Sequence, residues 1–203
     1  STSFPIFTDG IDNLNLDLHL SNSEDYKPAI YIYPEEDQQF QVKLKLNNRT
    51  QITTSIPEYT NGWDVFVEKS GKIDHKYDYL FYETSIIYLP KFSKGWCFNK
   101  SDLENEIKCL LENIGLNTKE KKEFLDFWIY KLQKYDFYKI YPIFNESINY
   151  YVELEIVPPS ETTFRFRFFF EGCDNFEELP EPEIPAFERT GTTVVEWGGV
   201  MVN

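Results

Sequence analysis

The sequence predicts an α+β domain, predominantly antiparallel β-sheet or sandwich, with one αα-hairpin inserted. Three observations carry this. The chain is rich in aromatics, with 18 Phe, 14 Tyr and 4 Trp among 203 residues, and such side chains favour pleated, half-buried surfaces. Segments of period two recur at short intervals with turn residues between them. One stretch, residues 101–135, changes to the helical period.

The segment 1–27 reads as a polar arm in which Leu14, Leu16, Leu18 and Leu20 alternate with Asn15, Asp17 and His19. Asp9, Asp12 and Asp17 lack the EF-hand order and its Gly, so they read as a solvated strand flank rather than a calcium loop. A first β region spans 28–100. Ala29–Tyr33 is apolar on both faces, as a central strand is. Phe40, Val42, Leu44 and Leu46 alternate with Gln41, Lys43 and Lys45, which gives a strand with one wet face. Asn47-Asn48 then suggests a hairpin with Thr50–Ile56 as the partner strand. Asn61-Gly62 leads into Trp63–Glu68, and Lys69-Ser70-Gly71-Lys72 leads to Tyr77–Glu83.

The helical hairpin is marked by Ser101-Asp102-Leu103-Glu104, a capping-box pattern. Leu103, Ile107, Leu110, Leu111 and Ile114 follow on one face, and Gly115 is the left-handed stop. Asn117-Thr118-Lys119-Glu120 offers a second capping box, followed by the stripe Phe124, Leu125, Trp128, Ile129, Leu132 and Tyr135. A second β region, 136–203, holds Phe137–Phe144, Asn149–Val157 and Thr163–Phe170. In the last of these Phe164, Phe166, Phe168 and Phe170 oppose Arg165, Arg167 and Phe169. An acidic, Pro-rich loop at 174–188 precedes the final strand, Thr192–Trp197, and the apolar ending Val200–Val202 implies pairing into the sheet. The whole, 1–203, reads as one domain.

With 34 acidic and 20 basic residues the formal charge is −14. This opposes nucleic acid, whose binding rests on neutralising phosphates, and anionic lipid alike. The hairpin carries Asp102, Glu104, Glu106 and Glu112 on its first helix, so it reads as a packing unit rather than a DNA reader. No apolar run reaches the ~20 residues of a membrane span, so no membrane insertion is expected. The chain opens at Ser1 without a signal peptide, which fits a cleaved secretory precursor and equally the loss of an initiator Met. Asn-x-Ser/Thr triplets at Asn48, Asn99 and Asn145 are about as many as chance supplies.

Cofactor and metal motifs are missing. His19 and His75 stand in no zinc pattern, and no GxSxG, SxxK, P-loop or GxGxxG occurs. Cys97, Cys109 and Cys173 form no CxxC, and any disulfide among them stays undetermined from sequence. Cys97 reads as a buried thiol and Cys173, after Gly172, as the most exposed of the three. Two carboxylates draw attention as candidate catalytic residues. Glu83 ends Tyr79-Leu80-Phe81-Tyr82-Glu83, and Glu196 lies in Val195-Glu196-Trp197-Gly198-Gly199. Each is a lone acid in an aromatic strand, where burial raises the pKa, and a glycosidase uses two such groups. Trp63, Tyr79 and Trp197 are the candidate binding residues.

The ordered set Lys27–Pro34 (KPAIYIYP), Pro57–Trp63 (PEYTNGW), Tyr79–Glu83 (YLFYE) and Thr193–Gly199 (TVVEWGG) resembles an uncharacterised family of predicted secreted or lipid-anchored proteins of bacteria and some microbial eukaryotes. The resemblance implies one indivisible domain and an extracellular or cell-surface location, with a cytoplasmic one as the alternative, and brings no activity with it. The leading expectation is therefore a non-enzymatic binding or structural module that presents aromatic strand faces to a protein or glycan partner. The alternatives are a glycan hydrolase using Glu83 and Glu196, and a self-assembling homo-oligomer joined through the Phe-rich strand or the C-terminal edge.

Overall fold

Alternation sorts the apolar side chains of this chain onto two faces, and each face finds a separate cover. The computed structural model describes residues 19–48 and 50–202, with backbone alone for 19–26 and 86–88. Asp9, Asp12, Asp17 and the leucines at 14, 16 and 18 lie outside the described residues. The elements are β1 (His19–Tyr33), β2 (Gln38–Leu46), β3 (Ile52–Ile56), β4 (Trp63–Val67), β5 (Leu80–Leu89), β6 (Trp96–Asn99), α1 (Leu103–Ile114), α2 (Thr118–Lys131), β7 (Phe137–Phe144), a 3-10 turn (Asn145–Tyr150), β8 (Val152–Val157), β9 (Thr162–Cys173) and β10 (Thr193–Met201). A seven-stranded sheet runs β3-β5-β1-β10-β9-β7-β6, and a three-stranded sheet runs β4-β2-β8.

The sheet-rich α+β class is as predicted. One pairing departs from the antiparallel rule: β9 and β10 run parallel, from Thr162–Thr193 to Phe170–Met201. Parallel neighbours need a crossover, and residues 174–192 supply it as an extended strap.

On one face of the large sheet, Phe164, Phe166, Phe168, Phe170, Val195, Trp197, Ala29 and Tyr31 bury against Leu103, Ile107, Leu111 and Ile114 of α1 and Phe124 and Trp128 of α2. On the other, Ile30, Ile32, Leu80, Tyr82, Phe169 and Val194 meet Phe40, Val42 and Leu44 of β2, Val65 and Val67 of β4, and Val152 of β8. Helices, large sheet and small sheet thus form three layers. The wet side of β2 carries Lys43 and Lys45, as its alternation requires.

Two local expectations are corrected. The segment after Asn47-Asn48 forms no hairpin with β2: β3 pairs with β5, while β2 pairs with β4 and β8. Thr50 turns back on Asn47, donating its N–H to the Asn47 carbonyl at 3.2 Å, and the chain passes from one sheet to the other. β3 has polar alternate positions and little to bury, so it takes an edge, whereas β2 fills the middle of its sheet. The Ser101 capping box is also absent. α1 starts at Leu103 after Asp102, and the Ser101 hydroxyl donates to Asn99 Oδ1 at 3.0 Å instead. The second box is present as read: Glu120 N–H donates to Asn117 Oδ1 at 2.9 Å, and Asn117 N–H to Glu120 Oε2 at 2.9 Å. Gly115 takes the left-handed conformation, φ 98°.

Candidate functional site

The site begins with an irregularity in β1. Its register to β10 shifts between Tyr26 and Ala29, and within the shift Lys27 has φ 50°. A bulge re-aims a side chain. Here it sends the Lys27 ammonium among aromatic rings, 4.9 Å from the Phe127 centroid on α2, 5.4 Å from Tyr79 and 5.7 Å from Trp197. Burial draws the Lys27 pKa below its ordinary value, against the opposing pull of Glu123 and Asp126. Ring faces attract the cation and offset part of its lost hydration.

Around this lysine lies an open cleft of about 420 Å³ lined by Lys27, Ile56, Lys76, Tyr77, Asp78, Tyr79, Phe81 and Phe127. The segment before β5 builds one wall: Tyr77 bridges to Ile73, and Asp78 is clamped by Lys119 Nζ at 2.8 Å and Lys72 Nζ at 3.2 Å. The Lys119 hydrogen bond leads the causes that hold the Asp78 carboxyl below its usual range. Behind the cleft, Tyr79 leans on Tyr31 at 5.2 Å, and the Tyr31 hydroxyl donates to Glu123 Oε2 at 2.5 Å. The rings are therefore fixed before any ligand arrives.

Of the sequence-predicted binding residues, Tyr79 alone lines this cleft. Trp197 is fully buried between sheet and helices. Trp63 is 4% exposed, donates its indole N–H to the Pro57 carbonyl at 2.9 Å and meets Tyr59 edge-on at 4.8 Å. Neither can touch a partner, because each fills a core layer.

The two carboxylates do not form a pair. Glu196 lies on the small-sheet face of β10, 0% exposed. Its carboxylate accepts from Arg165 Nε, from Arg167 Nη2 at 2.5 Å and from the Tyr82 hydroxyl. Burial pushes its pKa up, but the Arg165 and Arg167 charges outweigh that and hold it at about 2. Glu83 follows Tyr82 along β5 and so points to the opposite face; its carboxylate accepts the Lys27 backbone N–H at 3.4 Å. Neither acid lines the cleft. A low-pKa group sealed in an ion pair cannot act as a general acid, so the acid–base reading of Glu83 and Glu196 is withdrawn.

Self-assembly through the Phe-rich strand or the C-terminal strand meets a similar obstacle, since β9 and β10 are both interior and paired on each side. Cys97 is buried as expected, but the most exposed thiol is Cys109 rather than Cys173, which is intermediate at the end of β9. Among the described residues no group of three or more His, Cys, Asp or Glu is placed to hold a metal ion, and no helix is long and apolar enough to cross a membrane.

Lys27, Ile56, Lys76 and Phe127 were not singled out from the sequence. The shared face of Tyr77, Tyr79 and Phe81 was a legible signal; the bulge that aims Lys27, and the meeting of β1 with α2, were not.

The uncharacterised protein in the bglA 3′ region of Butyrivibrio fibrisolvens is 38% identical over 65 residues, which make up 30% of this chain and 67% of that protein. No family model and no solved structure matches.

Proposed function

We propose that this chain, which belongs to one family with the uncharacterised Butyrivibrio protein, is a non-enzymatic binding module whose ligand is a glycan held in the Tyr79 cleft. The observation that carries this reading is the lining: Tyr77, Tyr79, Phe81 and Phe127 beside the amines of Lys27 and Lys76. Aromatic faces take the C–H face of a sugar ring at little entropic cost, and the amines donate to hydroxyl or carboxylate oxygens. The volume, about 420 Å³, falls in the range of small-ligand sites, roughly 300–1,000 Å³. A protein partner would need about 800 Å² of contact. Among the described residues the large exposed apolar side chains, Ile56, Tyr130, Tyr150, Val157 and Phe176, sit on β3, α2, the 3-10 turn, β8 and the strap, one on each. A secreted or surface-associated location would suit such a ligand.

The test is affinity electrophoresis and calorimetry against a panel of neutral and uronate-bearing soluble polysaccharides. Retention by at least one member is expected, weakened about tenfold or more by Tyr79→Ala or Phe127→Ala, with thermal unfolding showing both variants folded. Failure of the native chain to bind any polysaccharide, or binding indifferent to both substitutions, sinks the reading.

A further inference from the structure

A second chemical feature lies away from the cleft, on the small-sheet side of the other edge of the large sheet. Cys97 on β6 is the cross-strand partner of Lys139 on β7, and Cys173, the last residue of β9, is the partner of Phe137 on β7. Cross-strand partners project to the same face, and so do residues two apart on one strand. Cys97, Lys139 and Cys173 therefore share a face. The strap that follows Cys173 folds back over it: Glu177 N–H points at Cys97 Sγ at 3.5 Å, and Phe176 meets Phe137 at 6.4 Å. Lys139 is held there by Glu171 at 3.7 Å and by Glu177.

We infer that Cys97 and Cys173 are an oxidation-sensitive thiol pair that closes to a disulfide, fastening the start of the strap to the edge strand β6. The inference is independent of the glycan reading. The two side chains interact directly, and burial followed by the neighbouring Cys97 raises the Cys173 thiol's pKa, while the Lys139 ammonium works the other way. A thiolate is the reactive form, so the pair reacts slowly near neutrality and faster as the pH rises.

With hydrogen peroxide as oxidant the sequence balances. The Cys173 thiolate attacks one peroxide oxygen; an S–O bond forms, the O–O bond breaks, and the departing hydroxide takes up the thiol's proton as water. Cys173 is then a sulfenic acid. Cys97 sulfur attacks it, the S–S bond forms, the S–O bond breaks, and hydroxide leaves with the Cys97 proton as a second water. Two thiols have lost two electrons, and the peroxide has gained them.

Cys97 and Cys173 lie two strands apart and two residues out of line along the ladder, so their Cα atoms stand farther apart than the ~9.5 Å between alternate strands and well beyond the ~4.4–6.8 Å of a disulfide. Closure therefore draws Cys173 inward. Its place as the terminal residue of β9, followed by a bend, lets it move without disturbing the ladder behind it. The Glu177 contact to Cys97 is lost in the oxidised form.

The experiment uses the full chain, reduced, desalted and exposed to excess hydrogen peroxide at two pH values. Remaining thiols are blocked with N-ethylmaleimide, and non-reduced peptides are mapped by mass spectrometry. The expected product is a peptide pair joined through Cys97 and Cys173, formed about tenfold faster per pH unit on the acid side of the thiol pKa. It should persist in Cys109→Ser and vanish in Cys173→Ser, whose Cys97 stays alkylatable. The cross-link stabilises the fold, so the midpoint of thermal unfolding should rise by roughly 5–10 °C. Recovery of Cys97 and Cys173 as separate alkylated peptides, or of Cys173 as sulfinic acid without a cross-link, overturns the inference. So does a cross-link that always includes Cys109.

Discussion

Arg167 and Gly198 face each other across the parallel β9–β10 pair, and a Cβ on Gly198 would stand 2.9 Å from both Cδ and Nε of Arg167. The missing side chain is what lets the Arg167 side chain pass close over Gly198 and reach Glu196. On the opposite face a Cβ on Gly199 would stand 2.5 Å from Trp128 Cζ2. The run Glu196-Trp197-Gly198-Gly199 is thus a packing device: an anchor for two arginines, a core tryptophan, and one cleared position on each face.

Replacing Glu196 by Gln should be severely destabilising. It keeps the shape but strands the guanidinium groups of Arg165 and Arg167, both under 5% exposed. Breaking one side of a buried pair costs about 3–5 kcal/mol. Urea unfolding monitored by tryptophan fluorescence would show the loss; a change under about 1 kcal/mol would contradict this account of the network.

The same group fixes an acid limit. The Glu196 folded pKa, about 2, is depressed relative to the ~4.3 of an unfolded Glu. A depressed carboxylate contributes stability that is fully present above the unfolded value and is lost as pH falls through the folded one. The window is therefore about pH 5 down to 2, and the loss is of order 3 kcal/mol. Stability measured across this range should fall, with a smaller fall in a variant that lacks Glu196.

Gly199→Ala should cost about 1–3 kcal/mol by overpacking against Trp128. A double-mutant cycle with Trp128→Phe checks the cause: the cost of the alanine should shrink when the indole is gone. Additive effects would rule out this contact.

Arg189 closes the far end of the strap. Its Nη2 donates to Glu120 Oε2 at 2.5 Å and to the Gly115 carbonyl at 3.3 Å, over the rings of Tyr33 and Phe187. Arg189→Ala leaves the buried Glu120 without this partner and should cost about 1–3 kcal/mol. Hydrogen exchange should rise first at the hairpin turn and along residues 184–192. Unchanged protection there would show that the strap is held by its apolar contacts alone.

Much of the fold was legible. The stripe Leu103, Ile107, Leu110, Leu111, Ile114 is buried as read, Gly115 stops its helix, and the Asn117 cap forms. These features depend on neighbours within a turn, where sequence spacing is spatial spacing. The Ser101 cap failed because Asn99 Oδ1 accepts both the Ser101 N–H and its hydroxyl, which holds Ser101 in the preceding turn, and the helix starts one residue later, after Asp102. The β2–β3 hairpin failed because turn signals mark where a chain reverses, not which sheet receives it. Alternation along β10 puts Glu196 on one face with Val194, but no local pattern tells its role, since Arg165 and Arg167 are some thirty residues away in sequence and beside it in space.

What the sequence determined by itself, then, was the element types and the two faces of each strand, because periods of two and 3.6 residues are local geometry. It also showed that Glu83 and Glu196 interrupt aromatic strands. The tertiary structure decided strand order, the parallel β9–β10 pair and the three-layer stacking. It turned Glu196 inward to two guanidiniums and left Tyr79, with Phe127 and the bulge-aimed Lys27, at the open cleft. Such choices depend on which long-range contacts bury most apolar area while pairing every buried charge, and no local pattern records them.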